Sequence, residues 1–329
     1  MGLGDTAAVK DLVKLPRSNL RDMALEAGAT DGQVEKADAD EHDPKAALAK
    51  LIILHRRIQQ SPPPPYWTET AGTFHNVVRS AYVQSMAHDL LNKTAVDKGT
   101  ADRKKLGKPP PPGGFEIVAA QRIENSAMWE RYAKKIVEIQ RQGTTKTAIN
   151  VKTTAHLSDQ SRATLTSSVN EVYLFHGTSI EAAKGIAETG FRIDLAGSKA
   201  GKAFGAGAYF AERSTKSDEY TTPHAHTLGI VSETHYAMIL CRVCLGEVYR
   251  IEDFDTAAER HVLGSDTYNS LLGDREAARD TFREFIVYDE DQVTAASLTP
   301  SRDQQARGRY RPASLTLKRV CDSAFHNGC

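Results

Sequence analysis

Three segments of the chain carry side chains that can do chemistry. The first, Tyr173-Leu-Phe-His176-Gly177-Thr178, is an apolar strand that runs out into His-Gly. The second is Phe204-Gly-Ala-Gly207-Ala-Tyr209-Phe-Ala, followed by Ser214-Thr-Lys-Ser217-Asp-Glu-Tyr220. The third is Phe282-Arg-Glu284-Phe-Ile-Val-Tyr-Asp289, where a carboxylate opens an apolar strand. Tyrosine rings offer π faces to a flat cation, while an imidazole or a hydroxyl can orient polar groups. A carboxylate can place negative charge beside a developing cation or take a proton. Taken singly, each has a plain explanation. A histidine at a strand end is usually a surface or hydrogen-bonded residue, Tyr209 alternates with Phe210 as in any half-buried strand, and Glu284 would serve as a solvated strand-end charge.

Two nearby patterns imitate other chemistries and fail on mechanism. Gly205-Ala-Gly-Ala-Tyr-Phe looks like the start of a dinucleotide fingerprint, but those glycines lead into a strand, whereas pyrophosphate is held at a helix N-terminus. Gly197 to Lys202 contains Gly-Lys at too short a spacing for a P-loop, and Ala203 stands where a magnesium-binding Ser or Thr is needed. Cys241 and Cys244 form a CxxC inside Tyr236-Ala-Met-Ile-Leu-Cys-Arg-Val-Cys-Leu, which reads as a buried strand. Residues three apart on a strand point to opposite faces, so two small core residues are expected rather than a metal or redox pair.

Together and in this order, the three segments resemble the catalytic domain of the poly(ADP-ribose) polymerase family, including the tankyrases. The family's His-Tyr-Glu triad falls on His176, Tyr209 and Glu284, and its second stacking tyrosine on Tyr220. Its amide-binding Gly and Ser fall on Gly177 and Ser217, with Thr178 beside them, and Arg192 in Gly-Phe-Arg-Ile matches the adenosine-side arginine. Upstream, Gln121-Arg-Ile-Glu-Asn-Ser-Ala-Met-Trp-Glu-Arg-Tyr is similar to the segment that precedes the triad. The resemblance runs from about residue 66 to about residue 295. It implies an α+β ADP-ribosyltransferase fold that binds NAD+ as a substrate, not as a recycled cofactor, and uses no metal. The implied reaction releases nicotinamide and transfers ADP-ribose to acceptor proteins, the chain itself among the candidates. Tyr209 and Tyr220 would sandwich the nicotinamide ring, Gly177 and Ser217 would fix its carboxamide, and His176 would bond an adenosine-ribose hydroxyl. Glu284 would hold the nicotinamide-ribose 2′-hydroxyl and help deprotonate the acceptor. Retention of Glu284 leaves both polymer extension and transfer of a single unit open.

The sequence departs from the family in places. Tyr220 to Tyr236 has no cysteine, so the tankyrase zinc cluster is missing, and Thr294-Ala-Ala-Ser stands where Tyr-Pro-x-Tyr is usual. No long helical regulatory domain with DNA-damage fingers is expected, nor break-dependent activation. RNA 2′-phosphotransferases share a His-Gly-Thr start but match less well around the second tyrosine. Arginine-specific toxin-type transferases want an acid two residues before the catalytic Glu, where this chain has Phe282. A non-catalytic NAD+ or ADP-ribose binding module is the remaining alternative.

The elements that must position these residues can be sketched from periodicity. Residues 1–60 read as a small helical module, with Ser18 capping a first helix that Gly28 stops, and Asp43-Pro44 opening a second with Ala47, Leu48, Leu51, Ile52 and Leu54 on its apolar face. This module resembles the SAP type, which binds DNA, but its near balance of acids and bases favours a packing or protein-contact role. Residues 61–65 form a proline linker. Residues 66–300 make the catalytic domain, a mixed or antiparallel β core with peripheral helices. Its expected parts are a helix within Tyr66–Lys93 including Val77 and Val78, a strand at Phe115 and a helix capped by Asn125. Beyond residue 170, strands are expected at Val172–Phe175, Phe191–Ile193, Ala208–Ala211, Tyr236–Leu245, Val248–Ile251 and Phe285–Tyr288. Residues 301–329 read as a basic flexible tail.

Composition adds only bounds. The 329 residues are 40% hydrophobic and 26% charged, with 42 Lys+Arg against 42 Asp+Glu, so charge gives no argument for nucleic acid. No apolar run is long enough to span a bilayer, and the opening residues lack a secretory pattern. An intracellular protein, nuclear or cytoplasmic, is expected.

Overall fold

The apolar runs around His176 and Cys241 become the central strands of the computed structural model. It describes residues 3–59, 63, 67, 72–77, 81–108, 110–111, 113–142, 146–195, 203–222, 224–228, 231–279, 281–295 and 315–320. These divide into two compact units, Met1–Pro65 with Trp129–Thr145, and Tyr66–Met128 with Lys146–Cys329. Apart from Pro63, the proline linker at 61–65 lies outside the described residues, as does the Gly-Lys stretch at 197–202.

Four helices open the first unit: α1 (Leu3–Leu12), α2 (Arg17–Glu26), α3 (Asp31–Asp38) and α4 (Pro44–Gln59). Leu20, Ala24, Ala29, Val34, Leu48 and Ile52 form their shared core. Asp43 caps α4 as expected, its Oδ1 accepting from Ala46 N–H at 3.0 Å. Ser18 does not cap α2, because the helix begins one residue earlier, after Pro16, whose fixed φ already suits a helix start. Helix α3 was not expected. A Thr30/Gln33 capping box supplies its N-terminus.

The second unit begins with β1 (Thr73–Val77), α5 (Ala81–Lys93), α6 (Ala101–Lys105), β2 (Gly114–Ala119) and β3 (Gln121–Asn125). Helix α7 (Ser126–Arg141), which belongs to the first unit from Trp129 onward, starts on Asn125, whose side chain accepts from Met128 N–H at 3.0 Å. Two short helices, α8 (Lys152–Ala155) and α9 (Asp159–Arg162), lead to β4 (Glu171–Thr178), α10 (Ile180–Thr189), β5 (Ala208–Phe210) and α11 (Ser214–Asp218). Then come β6 (His224–Leu228), β7 (Val231–Cys244), β8 (Val248–Ile251), β9 (Ser270–Asp274), α12 (Arg275–Arg279), β10 (Arg283–Val287), β11 (Val293–Ala295) and β12 (Leu315–Val320). No helix of the described residues is long and apolar enough to cross a membrane.

Strand β7 is the spine. It pairs antiparallel with β4 along one edge, with β11 and β12 along the other, and with β6 at its start. Both faces of the β4–β7 pair are buried. Leu174, Ile239, Cys241 and Val243 enter one core, and Tyr173, Phe175, Met238 and Leu240 enter the other. Burial on both sides explains the near-continuous apolar runs and puts Cys241 and Cys244, both buried free thiols, on opposite faces. A second sheet has the order β5-β10-β9-β8, with β8 parallel to β9 and the other pairs antiparallel. The sheets meet at Phe175, whose N–H and C=O bond Ala211 at 2.8 and 2.9 Å.

Three expectations are corrected. Val77 ends strand β1, which pairs with β3 from Thr73↔Asn125 to Val77↔Gln121, instead of joining a helix; Val78 lies outside the described residues. Phe191–Ile193 is not a strand: Gly190, at φ 91°, turns the chain into a 3-10 turn at Ile193–Leu195. Alternation there reflects Phe191 and Ile193 packing on the core around exposed Arg192, which a turn achieves as well as a strand. Leu315–Val320, expected in a mobile tail, forms β12 between β7 and β2, while 301–314 and 321–329 lie outside the described residues.

Just after β5, the buried Glu212 clamps β10 to the strand. Arg283 donates to both its oxygens at 2.7 and 2.6 Å, and Lys152 N–H donates to Oε2 at 2.6 Å. Breaking such a pair leaves a desolvated charge. Arg283→Met is expected to destabilise this unit by about 3 kcal/mol, seen as a lower denaturant midpoint with an unchanged slope.

Candidate active site

Glycine at 177 is forced by a close approach. A Cβ there would lie 1.7 Å from the backbone oxygen of Ser217. Ser217 sits in α11, and its Oγ donates to Phe175 C=O at 2.9 Å, fixing α11 against β4. Backbone groups two apart on a strand face the same way. The N–H and C=O of Gly177 therefore point to the edge where those of Phe175 meet Ala211. Since the hydroxyl hydrogen of Ser217 is already given to Phe175, its oxygen has lone pairs left to accept from a ligand. Gly177 and Ser217 thus form a cradle with one donor and two acceptors, the pattern that a primary amide needs. Thr178 ends the strand, and Ser179 caps α10, accepting from Ala182 N–H at 3.1 Å.

His176 is partly buried and held by Tyr209, whose carbonyl lies 2.9 Å from Nδ1. A carbonyl only accepts, so Nδ1 carries the proton and Nε2 is left as an acceptor. Burial pushes the imidazole pKa down, against the opposing effect of that carbonyl, keeping the ring neutral. Phe191 packs edge-on against the ring at 5.0 Å and Phe210 lies at 5.6 Å. Tyr209 is itself pinned: its OH donates to Gly205 C=O and accepts from Phe204 N–H, both at 2.8 Å. Gly205 needs its φ of 89° for this turn, and a Cβ there would strike Glu259. The glycines of the false fingerprint serve packing beneath Tyr209.

Glu284 opens β10 opposite Gly273 of β9 and is only 5% exposed. Its nearest cation is Lys216, with Nζ 3.6 Å from Oε1. Nothing in the polar run Lys216-Ser-Asp-Glu itself signals burial. Yet all residues from Ser214 to Glu219 are buried. The Lys216 ammonium donates to Glu219 Oε2 at 2.9 Å, Tyr220 OH at 3.1 Å and Asp102 Oδ2 at 3.2 Å. Asp102 also accepts from Arg275 at 2.9 Å. Burial raises the pKa of Glu284, and Lys216 works against that rise. Burial would lower the pKa of Lys216, but the charges of Glu284, Glu219 and Asp102, with Tyr220, hold it well above the ordinary value. Burial and Glu284 push the Tyr220 hydroxyl up to about 12. The contacts thus link His176 to Tyr209, Gly177 to Ser217, and Glu284 to Lys216 and Tyr220. Arg192 stands apart on the surface, paired with Asp194 at 2.8 and 2.5 Å.

A neutral histidine beside a tyrosine, an amide cradle and a buried carboxylate coincide with one match to known proteins. The chain matches the poly(ADP-ribose) polymerase (PARP) catalytic domain over residues 104–307, more than half its length. It belongs to the PARP catalytic-domain family. That membership implies NAD+-dependent ADP-ribosyl transfer. Within this PARP domain, Lys216, Arg275 and Glu284 fall inside the matched residues, and Asp102 lies just before them.

The contact at Gly177 gives a direct test. Gly177→Ala must push α11 away from β4, with an expected cost of about 1–3 kcal/mol. Calorimetric titration should show NAD+ affinity reduced roughly tenfold or more, since 1.4 kcal/mol of lost binding is a factor of ten.

Proposed function

We propose that this PARP-family domain cleaves the nicotinamide–ribose bond of NAD+ and transfers ADP-ribose to an acceptor protein, using His176, Tyr209 and Glu284 in the tankyrase-like arrangement. NAD+ is consumed, not recycled. The carboxamide of NAD+ takes a hydrogen bond from Gly177 N–H and gives its own hydrogens to Gly177 C=O and Ser217 Oγ. The rings of Tyr209 and Tyr220 flank the pyridinium. His176 Nε2 accepts from an adenosine-ribose hydroxyl next to Thr178, and Arg192 serves the adenosine side. Supporting this assignment are the neutral tautomer of His176 and the close packing of Gly177 against Ser217.

In the reaction, the bond between C1′ and the nicotinamide nitrogen breaks, and its electron pair leaves with neutral nicotinamide. Glu284 holds the 2′-hydroxyl and sets negative charge near the oxocarbenium-like centre, as carboxylates do in glycoside cleavage. An acceptor lone pair then forms the new bond to C1′, and the acceptor proton passes to Glu284. The observation that carries the proposal is a carboxylate that is almost wholly desolvated yet has a cation 3.6 Å away. Such a group is poorly hydrated, so that its charge, once it is ionised beside Lys216, is screened little by water. The same carboxylate is suited to activating a ribose hydroxyl as acceptor, so we extend the proposal to poly(ADP-ribose) formation. The N-terminal helices have no part in this chemistry and serve as a packing or protein-contact module.

Nicotinamide release from NAD+ tests the proposal. Glu284→Gln should reduce release about 10²–10³-fold while leaving NAD+ binding measurable. Binding without any release by the native chain would leave only a binding module. Because the pKa of Glu284 is raised, the active carboxylate is lost as pH falls through a midpoint above the ordinary glutamate value. The acidic limb of the rate profile should therefore lie above that value. Labelled NAD+ should give a heterogeneous high-mass smear, and a single sharp band would refute extension.

A further inference from the structure

Lys216 has three N–H donors, and all three are already committed: to Glu219, to the Tyr220 hydroxyl and to Asp102. Glu284, at 3.6 Å, receives the charge of Lys216 but no hydrogen bond. Its oxygens thus remain available to hydroxyl donors. Asp102 is the member of this set that comes from far away in the chain, on α6. The segment leading into and through α6 is fastened to α11 at several points. Val96 N–H donates to Thr215 Oγ1 at 2.9 Å, Thr100 donates to Glu219, Arg103 pairs with Asp218, and Lys108 donates to Thr221 C=O. Asp102 is in turn held by Arg275 of α12, whose guanidinium also stacks 3.9 Å over the exposed ring of Phe254.

We infer that Asp102 is a positioning residue: by taking the third N–H of Lys216 it leaves the oxygens of Glu284 free to hold the ribose and acceptor hydroxyls. Without Asp102, the ammonium would turn its freed N–H onto Glu284, producing a tight ion pair and a weaker base. Arg275 tunes the same device from outside, because it shares the Asp102 oxygen that Lys216 uses. The groups facing Glu284 are Lys216 on α11, Glu219 and Tyr220 just beyond it, Asp102 on α6, Arg275 on α12 and Tyr209 on β5. Asp102 and Glu219 favour the protonated form of Glu284, and Lys216 and Arg275 favour the ionised form.

This inference rests on the proposed role of Glu284, and its test separates the two. In the full chain labelled with carboxyl ¹³C-glutamate, the Glu284 resonance is assigned by its loss in Glu284→Gln, and its titration is followed by NMR. Asp102→Ala should move the Glu284 midpoint to lower pH, and Arg275→Gln should move it to higher pH. Asp102→Asn keeps an acceptor for Lys216 and should shift less than Asp102→Ala. Opposite shifts are not produced by a general loosening of the fold, and Arg275→Gln decides the matter even if Asp102→Ala fails to fold. In nicotinamide release, Asp102→Ala should lower kcat about tenfold, a part of the roughly 10²–10⁴-fold that a positioned base contributes, and leave KM for NAD+ within about twofold. Asp102→Asn should restore most of kcat. An unmoved midpoint, shifts of the same sign, or an unchanged kcat in Asp102→Ala would overturn the inference. Opposite shifts in the two variants, together with a native chain that releases no nicotinamide, would instead overturn the transferase proposal.

Discussion

Phe175 holds the catalytic unit together through its backbone. Its N–H and C=O exchange hydrogen bonds with Ala211, and the same C=O accepts from Ser217. That one residue joins the two sheets and brings α11 against β4. The register follows from there. Ala211 continues β5, and β5 pairs with β10 as Tyr209↔Ile286 and Phe210↔Phe285, so that the same register carries Glu284, near the start of β10, toward Ala211. His176 and Gly177 follow Phe175 directly on β4. Three sequence segments separated by dozens of residues are therefore fixed relative to one another by backbone bonds, whose geometry tolerates little drift. The side chains inherit that precision, which catalytic positioning requires.

The α11 segment works against ordinary folding preferences. A five-residue helix whose Ser, Thr, Lys and Asp are all buried cannot be stabilised by apolar packing, so every polar atom must find a partner. Those partners come from Leu91, Thr94, Val96, Thr100, Asp102 and Arg103, a stretch that precedes α11 by more than a hundred residues. A core of leucines at this place would be as stable or more so. Retaining a buried ion cluster beside a carboxylate makes physical sense if the cluster sets the charge and hydrogen-bonding freedom of that carboxylate.

This division explains what the sequence made legible. His176, Gly177, Tyr209, Ser217, Tyr220 and Glu284 lie in short segments whose order and spacing are local properties, and the strands bearing them show clear apolar runs. Contacts between distant segments leave no such trace. The pairing of Lys216 with Asp102 spans 114 positions, and a polar run gives no sign that it will be buried. Strands β1 and β3 were missed for a related reason: each is short, and what makes it a strand is the other. Strand β12 likewise depends on β2 and β7, not on its own periodicity.

The departures from the family pattern have different consequences at the two ends of the site. Val293-Thr-Ala295 still forms β11 and pairs with β7 through its backbone, and all three residues are buried. Small side chains suffice there because the ladder, not the usual tyrosines, holds the edge. At the opposite end, Arg192 is exposed and bound to Asp194, so its charge is largely screened before any ligand arrives. In the proposed assignment, the carboxamide is met by backbone and buried groups of Gly177 and Ser217, whereas Arg192, assigned to the adenosine side, is exposed and already paired. Under that assignment, discrimination rests mainly on the cradle of Gly177 and Ser217, where a mismatched group would leave both unsatisfied and desolvated.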